Sequence, residues 1–218
     1  MTLQMGLLLS AIAFVGTHFL MSHPLRDPLV RSAGEGAFRG IYVVVSLITF
    51  AAMVYFYHAI GREPPLWVSG DGVWIGASLL MWFASILLVG SFIRNPAFPG
   101  APGPTGSPTG VFAITRHPMM WSFAIWAIVH LAVVAMPKAL VFDGAILLLA
   151  LGGAAGQDRK KARHMGEAWH EWTAETAFIP FTRGIGYPGT VALVGGTIFF
   201  FLVTWVHPIP AGFWRWIG

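Results

Sequence analysis

The sequence contains no cysteine, and only 10% of its 218 residues are charged. The lack of cysteine excludes disulfides, iron–sulfur clusters, thiolate- or thioether-bound haem and a cysteine nucleophile. Soluble domains carry about 25% charged residues, so this deficit indicates a surface that largely does not face water. Because 56% of the residues are hydrophobic, we expect one membrane domain over residues 1–218.

Long apolar runs predict an all-α fold, a polytopic membrane helix bundle with about six transmembrane helices. The predicted spans are 3–22, 40–60, 72–93, 119–136, 139–155 and 189–206. The fifth run is short and contains Asp143 near its start. The first run lacks an early basic region and a small-residue cleavage site, so it is interpreted as a span and not as a signal peptide.

Most of the 13 lysine and arginine residues lie in the first, third and fifth connections between these runs. They are Arg26, Arg31, Arg39, Arg94, Arg116, Arg159, Lys160, Lys161, Arg163 and Arg183, whereas the opposite side has Arg62, Lys138 and Arg215. This bias predicts cytoplasmic odd loops and both termini on the non-cytoplasmic side. It explains the net charge of +4 better than a nucleic-acid partner does.

Two cytoplasmic connections have distinctive compositions. Residues 98–110 are rich in Pro, Gly, Ser and Thr, which predicts a flexible loop. Residues 157–181 are polar and charged, with Trp169 and Trp172 three residues apart. That spacing predicts a cytoplasmic amphipathic segment, a helix lying against the membrane surface that ends before Pro180.

Histidines inside apolar runs are the main candidates for a site. His18 lies in the first run and His130 in the fourth, and a buried imidazole in hydrocarbon needs polar partners. Two such residues on separate helices fit ligation of a b-type haem, with His18 and His130 as metal ligands. The alternative is a hydrogen bond from each ring to a backbone carbonyl or a hydroxyl of a neighbouring helix. At 1.5 Å per residue, His18 lies roughly 6–9 Å and His130 roughly 17–18 Å from the cytoplasmic ends of their spans, so a shared iron requires tilt or a longer first span.

Arg116 and His117 stand where the cytoplasmic loop meets the fourth run, before a proline suited to the first helical position. Arg116 would face lipid phosphates or the propionates of a cofactor, and His117 is either a cofactor-binding residue or an interfacial cap. His58, toward the outer end of the second run, is the reserve ligand.

Several motifs along the chain resemble those of the NnrU family, which includes the 15-cis-zeta-carotene isomerases. The matching pieces are His18 followed by Pro24-Leu25-Arg26, Gly34-Glu35 with Phe38-Arg39, Pro65-Leu66-Trp67, Arg116-His117-Pro118 with Trp126 and His130, and Gly166-Glu167-Ala168-Trp169 with Thr176-Ala177-Phe178-Ile179-Pro180-Phe181. They follow the family order over nearly the whole chain.

The resemblance implies a multi-pass protein of the bacterial inner (plasma) membrane. In the isomerase branch it also implies a haem b held by two histidines, which correspond to His18 and His130, and a carotenoid whose cis double bond is isomerised when the iron is reduced. The plant-type isomerases carry a cysteine three residues before the second ligand, where this chain has Ala127. The bacterial branch is associated with nitric oxide and denitrification metabolism. The leading expectation is therefore a haem b protein with a redox or denitrification-linked role, and the alternative is a haem-dependent carotenoid isomerase.

Two further functions remain open. The Arg-His-Pro, Gly-Glu-x-Trp and Ile-Pro-Phe elements are also similar to those of membrane methyltransferases of the isoprenylcysteine type, which use S-adenosylmethionine. Those enzymes have a glutamate-rich stretch where this chain has Asp158-Arg159-Lys160-Lys161. The second of these functions is that of a non-enzymatic assembly factor, which would dock respiratory or denitrification proteins through residues 157–181.

Overall fold

The computed structural model describes residues 2–96, 98, 101, 103–104, 106–134 and 136–217, and these form seven α-helices, two short 3-10 helices and no strand. The α-helices are α1 (Leu3–Ser22), α2 (Arg26–Ala59), α3 (Asp71–Gly90), α4 (Pro118–Val133), α5 (Pro137–Met165), α6 (Glu167–Glu175) and α7 (Thr190–Trp205). The 3-10 helices are Gly110–Ala113 and Gly212–Trp216. The predicted all-α class is therefore confirmed for the described residues.

Each predicted span overlaps one α-helix. Four of these helices, α1, α2, α3 and α5, are long and apolar enough to cross a membrane. The apolar helices α4 and α7 are shorter, with 16 residues each. In the most apolar window of α2, only 6% of the residues are buried inside the protein. Its side chains therefore present an apolar surface of the kind that lipid covers.

Local sequence explains where several helices begin. Pro118 and Pro137 stand in the first turns of α4 and α5, where a missing backbone N–H costs nothing. The hydroxyl of Thr2 accepts a hydrogen bond of 3.2 Å from the backbone N–H of Met5 at the start of α1. Inside α2, Gly34 has a φ of 81° and a ψ of 160°, which bends the helix between its charged first turns and its apolar part.

The apolar helices pack as a row in the order α2, α1, α5, α4, α3, α7. One buried cluster joins α1 to α2 and α5, and includes Leu7, Phe14 and Met53. A second joins α3, α4 and α7 to the first 3-10 helix and to α6. Because only neighbours in the row make extensive contacts, the space between α1, α2, α4 and α5 is left for a cavity.

The segment 157–181 differs from its prediction. Its first part continues α5 to Met165, Gly166 interrupts the helix with a φ of 55°, and α6 follows. Trp169 and Trp172 are only 1% and 7% exposed, and they pack into the second cluster. The tryptophan face thus covers the protein core and not a membrane surface. In the predicted loop 98–110, the described residues before Gly110 are not helical, and residues 99, 100, 102 and 105 lie outside the described part.

Candidate functional site

A cavity of about 1200 Å³ lies between α1, α2, α4 and α5. Ligand cavities in proteins usually measure about 300–1000 Å³, so this one has room for a large molecule. Rings from all four helices form its apolar wall, namely Phe14, Phe38, Phe50, Phe123, Trp126 and Phe142. At one end, charged side chains of α2 and α5 replace the rings. The cavity therefore suits a ligand that is mainly apolar.

His18 stands in the wall of this cavity. Its Nδ1 lies 2.6 Å from the backbone oxygen of Phe14. Since a carbonyl oxygen only accepts, Nδ1 donates this hydrogen bond, and Nε2 is the ring nitrogen left for another partner. The ring also packs edge-on against Phe14 and Tyr42, with centroid distances of 4.5 and 5.4 Å. The ring of His18 is thus fixed in orientation, with Nε2 as the nitrogen available to a ligand.

His130 lines a second cavity, of about 220 Å³, between α3, α4 and α7. Its Nδ1 donates to the backbone oxygen of Trp126 at 2.8 Å, and its ring stacks on the indole at a centroid distance of 4.1 Å. His207 lines the same cavity, with its ring 6.2 Å from that of His130. Both histidines predicted to be ligands therefore hydrogen-bond a carbonyl four residues earlier, the alternative considered for them, although on their own helix.

The two rings lie at different depths. Phe19 of α1 and Met120 of α4 contact two adjacent glycines of α5. A Cβ at Gly152 would lie 2.6 Å from Phe19 Cζ, and a Cβ at Gly153 would lie 3.8 Å from Met120 Sδ. His18 therefore stands near the level of Met120. His130 is almost three helical turns further along α4, about 15 Å at 1.5 Å per residue.

This arrangement does not fit one haem iron with both axial ligands. Imidazole nitrogens bind metals at about 2 Å, so two ligands of one ion are about 4 Å apart. His18 and His130 instead line separate cavities, which share Phe123 and Trp126 as walls. The described residues also contain no group of three or more His, Cys, Asp or Glu side chains that could hold a metal ion. His18 alone, in its apolar cavity, has the donor chemistry of a single axial ligand.

Arg116 and His117 line neither cavity. Both bind Asp158 of α5, through contacts of 2.7 Å from Arg116 Nη2 and 2.8 Å from His117 Nε2. Arg116 also donates to the backbone oxygen of Thr176 at 2.9 Å. The imidazole of His117 is fully buried and packs edge-on against Phe178. These residues fasten the connection after α6 to the ends of α4 and α5.

Sequence reasoning missed several residues of the large cavity. Tyr42 contacts His18, and Arg26, Glu35 and Lys160 line the charged end. The Glu35–Arg39 spacing is visible in the sequence, but nothing local shows that this pair faces α5. The reserve ligand His58 is exposed, contacts Tyr57 and lines neither cavity.

Comparisons with known proteins agree with the motif resemblance. The chain is 28% identical over 187 residues to the 15-cis-zeta-carotene isomerase, chloroplastic, of Zea mays, and 26% identical over 186 residues to that of Arabidopsis thaliana. Each alignment covers 82% of this chain and 50% of the relative, so the chain spans about half the length of these proteins. No solved structure is significantly similar. The profile described as "NnrU protein" matches residues 6–214, and the chain therefore belongs to the NnrU family.

Proposed function

We propose that this chain is a multi-pass membrane protein of the bacterial inner membrane that isomerises a cis double bond of a polyene bound in the α1/α2/α4/α5 cavity. The observation that carries the proposal is the cavity itself, which is large, walled by aromatic rings and faced by His18. The names of the plant relatives supply the reaction class. A substrate without polar atoms requires such a surface, because hydrophobic burial is its main source of affinity.

The chain's own residues would bind and orient the polyene. Phe14 and Phe50 pack against each other at a centroid distance of 5.5 Å, and Phe50 also contacts Phe142. Such a ring surface can stack along a conjugated chain and exclude water from it.

A haem b held by His18 is part of the proposal. The free Nε2 of His18 would bind the iron, and the hydrogen bond from its Nδ1 to Phe14 would fix the ring. When bound, haem supplies an iron centre that can exchange electrons with a conjugated double bond and lower its barrier to rotation. In this proposal, His130 does not bind the same iron.

The isomerisation is tested in bacterial cells that accumulate a 15-cis carotene, with the isomer ratio measured by chromatography. Expression of the chain should raise the trans fraction, and His18→Ala should abolish the increase. His58→Ala is the matched control, because His58 is exposed and outside both cavities. An unchanged isomer profile with the wild-type protein, at normal membrane levels, contradicts the proposal.

The haem is tested by the reduced-minus-oxidised spectrum of the purified protein. His18→Ala should remove the haem bands, whereas His130→Ala should retain them, since the two rings lie in separate cavities. Equal loss in both variants would restore the shared-iron hypothesis. Absence of haem from the wild-type protein would remove the cofactor from the proposal.

The structure removes part of the support for the two alternative functions, a methyltransferase and an assembly factor. Arg116 and His117, the residues that suggested an S-adenosylmethionine site, are bound to Asp158. In the segment 157–181, which suggested a docking surface for respiratory or denitrification partners, Trp169 and Trp172 are buried. Both functions remain hypotheses, and S-adenosylmethionine binding by calorimetry tests the first.

A further inference from the structure

The charged end of the large cavity is formed by Arg26, Glu35 and Arg39 of α2 and by Lys160 and Lys161 of α5. We call this set the basic mouth. Glu35 accepts hydrogen bonds of 3.0 Å from Arg26 Nη2 to both of its carboxylate oxygens, and one of 3.2 Å from Arg39 Nε. One carboxylate therefore serves two guanidinium groups.

The lysines of the basic mouth have no carboxylate partner within the described part of the chain. Lys161 Nζ contacts only the backbone oxygen of Pro96, at 3.4 Å, and Lys160 makes no ion pair. Asp27, which lies 3.7 Å from Arg26, is largely solvent-exposed and outside the cavity. The mouth consequently has a clear excess of positive charge.

Nearby His23 responds to this excess. Burial lowers the pKa of its imidazole, and the positive charges of Lys160, Arg159 and Arg163 lower that pKa further. His23 also lines the cavity beside the mouth. Burial and, after it, the positive field that would attract an anion both disfavour protonation of His23.

A cytoplasmic excess of basic residues alone requires no ligand, because it also sets membrane orientation. Arg159 and Arg163 fit that explanation, since both are exposed. Lys160 and Lys161 differ from them, because they are partly buried and line a cavity whose wall is otherwise mostly apolar. Cations that are partly withdrawn from water and outnumber the carboxylates around them are costly, and a bound anion would offset that cost.

We infer that the cavity binds an amphiphile with an apolar body and one anionic end, a carboxylate or a phosphate, which lies in the basic mouth between Arg39 and Lys160. The inference rests on the proposed function, since it concerns the same cavity. It adds to the polyene a second class of ligand for this cavity, an acid. A conjugated lipid acid and a tetrapyrrole with carboxylate side chains share this chemistry.

The test compares acids with their neutral methyl esters in a non-ionic detergent. The probes are cis-parinaric acid, a conjugated fatty acid, and protoporphyrin IX, each titrated by fluorescence beside its ester. The wild-type protein should bind at least one acid about tenfold more tightly than its ester, or about 1.4 kcal/mol. Preference for parinaric acid identifies a lipid acid as the source, and preference for protoporphyrin alone identifies a tetrapyrrole.

Lys160→Gln should bring the acid-to-ester ratio close to one while leaving ester binding unchanged, which shows that the cavity remains folded. Arg163→Gln is the matched control, because it removes the same charge from an exposed position of the same helix. Its ratio should stay at the wild-type value. Equal affinities of acid and ester for the wild-type protein, or an equal decrease in both variants, would overturn the inference.

The outcome is separable from that of the proposed function. If acids bind selectively but no carotene is isomerised, the basic mouth stands and the isomerase proposal fails. If carotene is isomerised while acid and ester bind equally, the isomerase proposal holds and the inference about the anionic ligand fails.

Discussion

At the scale of single residues, Asp158 holds together the part of the chain where α4, α5 and the segment after α6 meet. Its carboxylate is contacted by the guanidinium of Arg116 at 2.7 Å and by the imidazole of His117 at 2.8 Å. Arg116 in turn reaches the backbone of Thr176, and Thr115 donates to the backbone oxygen of Phe178 at 2.9 Å. The carboxylate therefore pairs with a largely buried guanidinium, accepts a hydrogen bond from a buried imidazole and, through these two side chains, stabilises a loop.

Replacing this carboxylate should destabilise the protein. Asp158→Asn keeps the size of the side chain but leaves Arg116 without its counter-charge, which should cost about 2 kcal/mol. We expect a lower thermal unfolding midpoint of the purified protein in detergent. Asp27→Asn is the control, because the Asp27 side chain is 67% exposed and should change the midpoint little. Equal midpoints for the two variants would show that the cluster does not stabilise the loop.

The sequence predicts that Arg116 and His117 stand at the start of α4, but it does not predict their contact with Asp158. Pro118 is a recognisable helix start, and α4 begins there. Asp158, however, belongs to a run of charged residues that resembles any solvated helix end, and its partners are about 40 positions away. A contact between distant segments leaves no periodic signal. The sequence marks His18 and His130 as unusual. For the same reason, it does not predict that they line different cavities.

At the scale of helices, α3 and α7 approach closely at a glycine. A Cβ at Gly196 would lie 2.5 Å from Cα and 2.7 Å from the backbone nitrogen of Ile86. Because these are backbone atoms, they cannot rotate away as a side chain can. The absence of a side chain at Gly196 is therefore what allows the two helices to meet, as at small-residue contacts in other membrane bundles.

Gly196→Ala should force α3 and α7 apart and lower the free energy of unfolding by about 1–3 kcal/mol. Gly76→Ala is a matched control in α3, since a Cβ there would meet nothing within 4 Å. That control should be neutral or stabilising by up to about 1 kcal/mol, because alanine favours helix more than glycine does. Thermal unfolding in detergent measures both, and a Gly196→Ala midpoint equal to that of Gly76→Ala would contradict the packing described.

Hydropathy located the apolar parts of the helices but not their polar extensions. The predicted second span starts at residue 40, whereas α2 begins at Arg26, and the predicted fifth span stops at residue 155, whereas α5 continues to Met165. These extensions carry the residues of the basic mouth. A charged helical turn has no apolar run, so its helical state depends on continuity with the adjoining span and on tertiary contacts.

At the scale of the whole molecule, the row of helices gives the two cavities different surroundings. The larger is enclosed between α1 and α2 on one side and α4 and α5 on the other, whereas the smaller lies beyond α4, against α3 and α7. Helix α4 is therefore the partition, and Phe123 and Trp126 face both spaces. A ligand in one cavity can influence the other only through these two side chains or through a shift of α4.

The number of membrane crossings depends on α4. Its 16 residues measure about 24 Å, less than the hydrocarbon thickness of about 30 Å. A short helix can still cross when the bilayer thins locally or when flanking side chains reach outwards. If α3, α4 and α5 all cross, the connections before α3 and after α6 lie on opposite sides. If α4 does not cross, those connections lie on the same side.

The absence of native cysteine allows this to be measured with single introduced thiols. Val68 and Ile185 are matched positions in these two connections, 88% and 94% exposed. With six crossings and basic loops inside, a membrane-impermeant maleimide should label Val68→Cys in cells whose outer membrane is permeable. It should label Ile185→Cys only after the inner membrane is broken. Labelling of both from outside would show that α4 does not cross, and the reversed pattern would place the basic mouth on the periplasmic side, where the positive-inside bias does not operate.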